Sequence, residues 1–365
     1  MKRSTGKRPF DERLLAAYGL LLLIGLVMVY STSSIIAAGR FGSQMYFFKQ
    51  QFIWVLLSAA AIFLIARLDL PRLAVYSAPA LLVTLLLLAL VFTMPARNGS
   101  QRWLFLFGFS LQPSELFRFL MIVYFAFSLS NPKRNITQVK DLLYPYLPII
   151  GLGLLLIAME PDLGMVIVMT ISTVGIFFLA GARIKHLAVA VLPAICLASF
   201  MVFVIGYKRA RIIDYMASIQ DPLQGSYQVK QAALTLGSGG LLGVGLGNGS
   251  QKLFFLPYPH TDFIFAAIGE ELGMIGLLCI LALFAYILWR GFKIAAAQPD
   301  KFGYLLAAGM SWSLFVSIAI NIGVVTAILP VTGLPLPFIS YGGSSLLMSS
   351  AAVGVLLNLS RRVVQ

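Results

Sequence analysis

Four ionisable side chains, His260, Asp262, Glu270 and Glu271, fall inside "LPYPHTDFIFAAIGEELG" (256–273), a stretch otherwise as greasy as a membrane helix. A carboxylate near lipid is costly and usually faces a cavity or a partner. Asp262 is therefore a candidate general base, with His260 beside it in the same site. The plainer reading is structural. The prolines of "PYPHT" bar helix continuation and Thr261 is placed to cap, so Asp262 is expected in the first turn of a helix, where the macrodipole alone stabilises an acid by about 0.3–1 kcal/mol. By helical phase Gly269, Gly273 and Gly276 share the face of Asp262 and let another helix approach. Glu270 and Glu271 lie about 80° and 180° round from it and roughly 12 Å deeper. They are read as structural, with one or both paired with a cation or a helix end.

Other groups join this list. In "QPSELFRF" (112–119) Glu115 and Arg118 are three residues apart, which makes either a self-neutralised pair or a guanidinium fork for a phosphate with Glu115 orienting it. "EPDLG" (160–164) sets Glu160 and Asp162 in a tight hairpin, where Asp162 either caps the next helix or joins the site. Lys49, together with Lys208, Arg209, Arg211, Lys230 and Lys252, would form a basic rim. Such a rim suits a lipid diphosphate, and equally suits lipid head groups alone. The glycines of 237–249 are not a nucleotide loop, because no strand precedes them, no G-x-G-x-x-G spacing fits and no GK[ST] follows. Gly342 and Gly343 in "YGGSS" read as a flexible lead-in to the last span. Two histidines cannot build a zinc site of the usual spacing. A divalent ion, magnesium or manganese, stays open as a holder of diphosphate.

These residues need a membrane to position them. Hydrophobic residues make up 59% of 365 positions and charged ones 11%, too little polar surface to coat a soluble globule. The net charge of +14 is scattered between apolar runs, which speaks for membrane orientation over nucleic acid. Cys196 and Cys279 both lie in such runs and read as packing residues, with no disulfide framework. The expected fold class is an all-α polytopic membrane protein with ten spans: 14–36, 47–66, 73–94, 113–129, 142–159, 163–180, 186–206, 262–289, 303–329 and 339–360. With the N-terminus in the cytoplasm, inside segments hold seventeen Lys and Arg and the short outside ones four (Arg40, Lys49, Arg97, Arg102), so both termini are expected inside. Residues 1–365 then form one integral membrane domain with a basic tail (1–13). Residues 207–259 form a partly helical extracytoplasmic cap, too apolar to stay solvated as a disordered loop. The aromatic and basic segment 96–112 is either an interfacial piece or a polar loop.

The residues "YQVKQAALTLGSGGLLGVGLGNGSQKLFFLPYPHTDFIFAAIGEELG" (227–273), "QPSELFR", "EPDLG" and "LPVTGLPLPFISYGGSS" (329–345) together resemble the SEDS family of cell-wall polymerases, RodA, FtsW and SpoVE, over nearly the whole chain. The resemblance implies a peptidoglycan glycosyltransferase in the bacterial cytoplasmic membrane that polymerises lipid II, an undecaprenyl-diphosphate-linked disaccharide pentapeptide, on the outer face. It implies Asp262 as the essential carboxylate, with Glu115, Arg118 and Asp162 at matching motif positions. It also implies a class B penicillin-binding protein, a transpeptidase, as partner. Arg118 stands where Lys is more usual, Tyr258 where Glu is common, and Glu160 where Gln is frequent. The wording of "GLGNGSQKLFFLP" and "YGGSS" leans toward the division and sporulation branch. The competing class is a flippase for lipid-linked cell-wall precursors, which would make no bond; a third is a scaffold that recruits division proteins.

Overall fold

The computed structural model describes residues 10–362, apart from 96–99, 107–108, 135–137, 139–143, 145, 205, 207–208, 222–224 and 251–255. Its helices are α1 (Glu12–Phe41), α2 (Tyr46–Ile65), α3 (Leu70–Ala74), α4 (Ser77–Val91), α5 (Pro113–Leu129), α6 (Leu147–Met159), α7 (Leu163–Leu179) and α8 (Ile184–Ser199). After α8 a π-helical turn, Phe200–Val204, leads to α9 (Arg209–Gln220), α10 (Tyr227–Ser238), α11 (Ile264–Ala296), α12 (Lys301–Val325) and α13 (Gly343–Ser360). Six of these are long and apolar enough to cross a bilayer: α1, α2, α8 with its π turn, α11, α12 and α13. Helices α4, α6 and α7 are apolar but shorter. The segment expected as one span at 73–94 is divided, because α3 ends at Ala74 and α4 begins only at Ser77.

One expectation is corrected at 96–112. Its described part folds as a two-stranded antiparallel hairpin, β1 (Leu104–Leu106) and β2 (Phe109–Leu111), with Phe105 opposite Ser110. The fold is therefore mostly helical and not purely so. Alternation of polar and apolar residues over so few positions is easily lost in a run rich in Phe and Leu.

Helix α12 forms the core, packing against α11, α7, α5 and α13, while α13 lies along α2. Large apolar side chains such as Leu23, Leu56, Leu86 and Phe203 face outward, as a lipid solvent permits. Cys196 and Cys279 also face outward, so they are not core packing. The supposed flexibility of "YGGSS" gives way to close packing: a Cβ on Gly343 would stand 1.9 Å from Trp54 Cε2, and only a bare Cα lets α13 meet α2 there.

Helix α11 is broken. Gly273, at φ 67° and ψ −170°, interrupts it, and the peptide groups released by the break are taken up by the loop after α10. Val244 N and Gly245 N donate to the carbonyls of Glu270 and Glu271, and Met274 N and Ile275 N donate to those of Gly240 and Leu241. Irregular backbone within a membrane protein survives only with such internal partners. The glycine face foreseen for helix packing receives helix α10 at Gly269, where a Cβ would lie 2.7 Å from Leu236 Cδ2, and the loop after α10 at Gly273. Because the helical phase does not run through Gly273, Gly276 does not continue the Asp262 face. A Cβ on Gly243, itself at φ 78°, would come 2.2 Å from the Glu271 carbonyl oxygen. Gly243→Ala is expected to lose about 1–3 kcal/mol from backbone strain alone, and more from the displaced loop. Gly247→Ala, at φ 86° with no neighbouring atom within 4 Å, should pay the strain only. Thermal unfolding in detergent compares the two, and equal losses would disprove the close approach.

Candidate functional site

The turn 257–263 that leads into α11 is held against the segment 332–341 by side chains from three elements. Asn321, on the core helix α12, donates to the carbonyls of Asp262 (3.0 Å) and Leu334 (2.7 Å). Ser340 Oγ donates to the Thr261 carbonyl at 2.6 Å and accepts from Leu336 N. Tyr341 N donates to the His260 carbonyl, and Gln51 of α2 donates to the Ser340 carbonyl. Two segments distant in sequence are thereby fixed face to face, with Gly333 placed so that a Cβ there would lie 3.5 Å from Asp262 Oδ2.

Asp262 itself precedes the helix. Phe263 is the N-cap and Ile264 the first helical residue, so neither the first-turn position nor the Thr261 cap is realised. Thr261 Oγ1 donates instead to the Tyr258 carbonyl. The apolar run begins at Phe263, and helix propensity cannot extend it through a turn anchored from outside. Asp262 is half-buried. His260 packs its ring against Phe47, 4.6 Å between centroids, and near Tyr341. Burial, reinforced by Arg40, lowers its pKa to about 4. His260 is accordingly a neutral ring packed on Phe47 at pH 7 and not a cation for phosphate.

Beside this turn lies the 160–162 hairpin. Asp162 caps α7 by accepting from Met165 N, and also meets Arg102 (3.3 Å) and Gln112 (3.3 Å). Arg102 donates further to the carbonyls of Glu160 and Pro161. Gly164 sits against Thr332, where a Cβ would be 2.8 Å from the Thr332 carbonyl oxygen, so hairpin and Asp262 turn share one support. Ser344 at the start of α13 ties in the β-hairpin by donating to Ser110 O and accepting from Gln112 N.

Glu160 is fully buried, with neither carboxyl oxygen hydrogen-bonded among the described residues. Burial, then Asp162, raise its pKa from 4.5 to about 9 against the opposing pull of Arg102. The folded protein holds a proton here that the unfolded chain gives up above about 4.5, so stability falls as pH rises from that value to about 9. Glu160→Gln keeps the shape without the titration. It is expected to be more stable by roughly 3 kcal/mol at pH 7 and to flatten the slope. Melting followed from pH 5 to pH 9 checks this, and parallel slopes would refute it.

Glu115 and Arg118 are both buried and joined at 2.8 Å, and Arg118 also donates to Ser317 on α12 at 2.5 Å. Ser317 lies one turn from Asn321, so the pair and the Asp262 turn are braced by the same helix face. Glu270 accepts from Ser250 N at 2.7 Å; Glu271 accepts from Ser31 Oγ and from Gly247 N. Their partners include loop amides and a hydroxyl where a cation or helix end was expected. Both clamp the loop after α10 to the broken helix. Lys49 on α2 and Arg209 on α9 are exposed. Lys252 lies outside the described residues, and for Arg211 only the backbone within α9 is described. Among the described residues no three His, Cys, Asp or Glu side chains gather around a common point. Asp162 is already engaged by Arg102, Gln112 and Met165 N, and the described residues do not form a divalent-ion cage.

Asn321, Ser317, Ser340, Gln51 and Arg102 were not foreseen. Asn321 carried a signal, since an amide inside the apolar "SIAINIGVV" needs a partner. Arg102 was counted with the outside loops and not with the site.

The profile of the FtsW, RodA and SpoVE family, described as "Cell cycle protein", matches residues 12–365. The chain is 42% identical over 363 residues to stage V sporulation protein E of Bacillus subtilis, covering 98% of this chain and 99% of that one. It is 40% identical over 357 residues to the probable peptidoglycan glycosyltransferase FtsW of Geobacter metallireducens, covering 97% and 95%. Among solved structures it is similar to Thermus thermophilus RodA, with TM-score 0.71, 27% identity and 98% of both chains covered. It is also similar to a chain of a complex described as "Structural coordination of polymerization and crosslinking by a peptidoglycan synthase complex", with TM-score 0.78, 28% identity, and 96% and 98% covered. A mostly helical bundle with six helices long and apolar enough to cross a bilayer defines the class. The chain belongs to the FtsW, RodA and SpoVE family.

Proposed function

We propose that this chain is a peptidoglycan glycosyltransferase that polymerises lipid II, with Asp262 as general base. Relatives named as peptidoglycan glycosyltransferases support the activity. One observation carries the site to this chain: Glu115, Asp162, Glu160, Glu270 and Glu271 are all buried, whereas Asp262 alone of these candidate acids is half-exposed, on a turn braced from three sides. In the reaction the 4-hydroxyl oxygen of the acceptor sugar attacks the anomeric carbon of the donor. The bond from that carbon to the diphosphate oxygen breaks, the polyprenyl diphosphate leaves, and the hydroxyl proton passes to an Asp262 carboxylate oxygen. Because the carbonyl of Asp262 is anchored by Asn321, the carboxylate can hold its aim while the proton moves. Arg118, held by Glu115 and Ser317, and the basic residues Lys49, Arg209, Arg211 and Lys252 attract and place the diphosphate. His260 contributes shape.

In this reading the chain crosses the bacterial cytoplasmic membrane ten times with both termini inside, carries residues 207–259 as an outer cap, and works at the outer face. A class B penicillin-binding protein crosslinks its product. The high identity to FtsW and SpoVE proteins favours division or sporulation over elongation. Purified protein in liposomes with lipid II and its partner transpeptidase should yield glycan strands. Lipid translocation without glycan would establish the flippase instead.

A further inference from the structure

At the end of the bundle away from Asp262, a cavity of about 500 Å³ opens between the start of α4 and the end of α5. Val75, Ser77 and Ala78 line one wall, and Phe127, Ser130 and Arg134 line the other. Helix α5 starts at Pro113, beside the hairpin that meets the catalytic turn, and ends at Leu129, so the two sites stand about 25 Å apart by helix rise. Among the described residues Arg134 is the only cation lining the cavity, and no carboxylate pairs with it. Its guanidinium lies 5.5 Å from the Tyr146 ring, and Lys133 is exposed next to it. The hydroxyls of Ser77 and Ser130 donate to the carbonyls of Ala74 and Phe127, so the charge of Arg134 beside a cavity of this size is what fits a phosphate group.

The rim decides what carries that phosphate. Val75 and Phe127 of the lining, and Tyr76 next to Val75 in the chain, are exposed, the composition of a bilayer interface. From Ala78 in the cavity wall, the same face of α4 continues through Leu82, Leu86 and Leu90 at four-residue spacing, each largely exposed. Ala78 to Leu90 spans about 18 Å, close to the hydrocarbon depth of one leaflet. A soluble anion would use the cavity and leave this ridge idle, whereas a phospholipid uses both. We propose that this cavity is a binding site for the phosphodiester head group of an anionic phospholipid, with Arg134 as its ion-pair partner and acyl chains along Leu82, Leu86 and Leu90. On the orientation proposed above the lipid belongs to the inner leaflet. The site takes no part in the glycosyl transfer, so it stands or falls separately from the catalytic assignment.

Native mass spectrometry of the full chain in detergent, titrated with phosphatidylglycerol, tests it. One saturable adduct is expected, with phosphatidylcholine bound more weakly. Arg134→Gln should weaken phosphatidylglycerol binding about fivefold, the effect of one cation near an anionic head group, while Arg134→Lys should restore most of it. Leu82→Ser with Leu86→Ser should weaken it as well, and inorganic phosphate should not displace the lipid. Melting temperature and glycan polymerisation measured on each variant exclude misfolding. Undiminished binding in Arg134→Gln would overturn the site. Displacement by free phosphate together with indifference to the leucine changes would overturn the lipid as its ligand.

Discussion

Asp262→Asn is expected to leave the protein folded and to reduce glycan polymerisation by about 10²–10⁴-fold, the usual contribution of a positioned base. The amide keeps the volume, and the Asp262 carbonyl that Asn321 holds is untouched by the change. The N-cap is Phe263, so the substitution removes no side-chain cap from α11. Lipid II consumption measures the first effect, and thermal unfolding should shift by no more than the roughly 0.5 kcal/mol of a neutral surface change. Undiminished polymer would remove Asp262 from the mechanism. A large stability loss would return it to the structural duty weighed from sequence.

Arg118→Met should destabilise by about 3–5 kcal/mol, since it leaves the Glu115 carboxylate buried without its cation. Adding Glu115→Gln removes the stranded charge and is expected to recover most of that loss. The double variant then separates two roles. If Arg118 draws the diphosphate into place, the refolded double variant binds lipid II poorly, raising KM. If the pair is structural alone, the double variant polymerises at the parental rate. Unfolding in detergent and steady-state kinetics read the two quantities independently.

Membrane character and most helices were legible, because apolar runs of bilayer length announce themselves whatever they pack against. The motif acids were legible too, since ionisable groups are scarce in such a chain and each one needs a reason. What stayed hidden depended on contacts between distant segments. Asp262 lies outside its helix because Asn321 and Ser340 pull on the turn from other elements. The break at Gly273 depends on the 239–245 loop supplying substitute partners, and helical phase drawn through a glycine has no means of registering that supply. His260 was placed beside Asp262 by sequence, but its burial against Phe47 and Tyr341, reinforced by Arg40, leaves it neutral, which its residue type alone could not show. The β-hairpin was too short for its alternation to stand out.

The junction at Gly273 has a consequence for how this protein tolerates change. Loops at a surface usually absorb inserted or deleted residues with little cost. Here two carbonyls and two amides of helix α11 are each matched to one particular residue between Gly240 and Gly245. Adding or deleting a single position there would slip every match at once, as in a misregistered ladder, and leave polar backbone stranded in an oily interior. This loop should therefore be as fixed in length as the helix it serves.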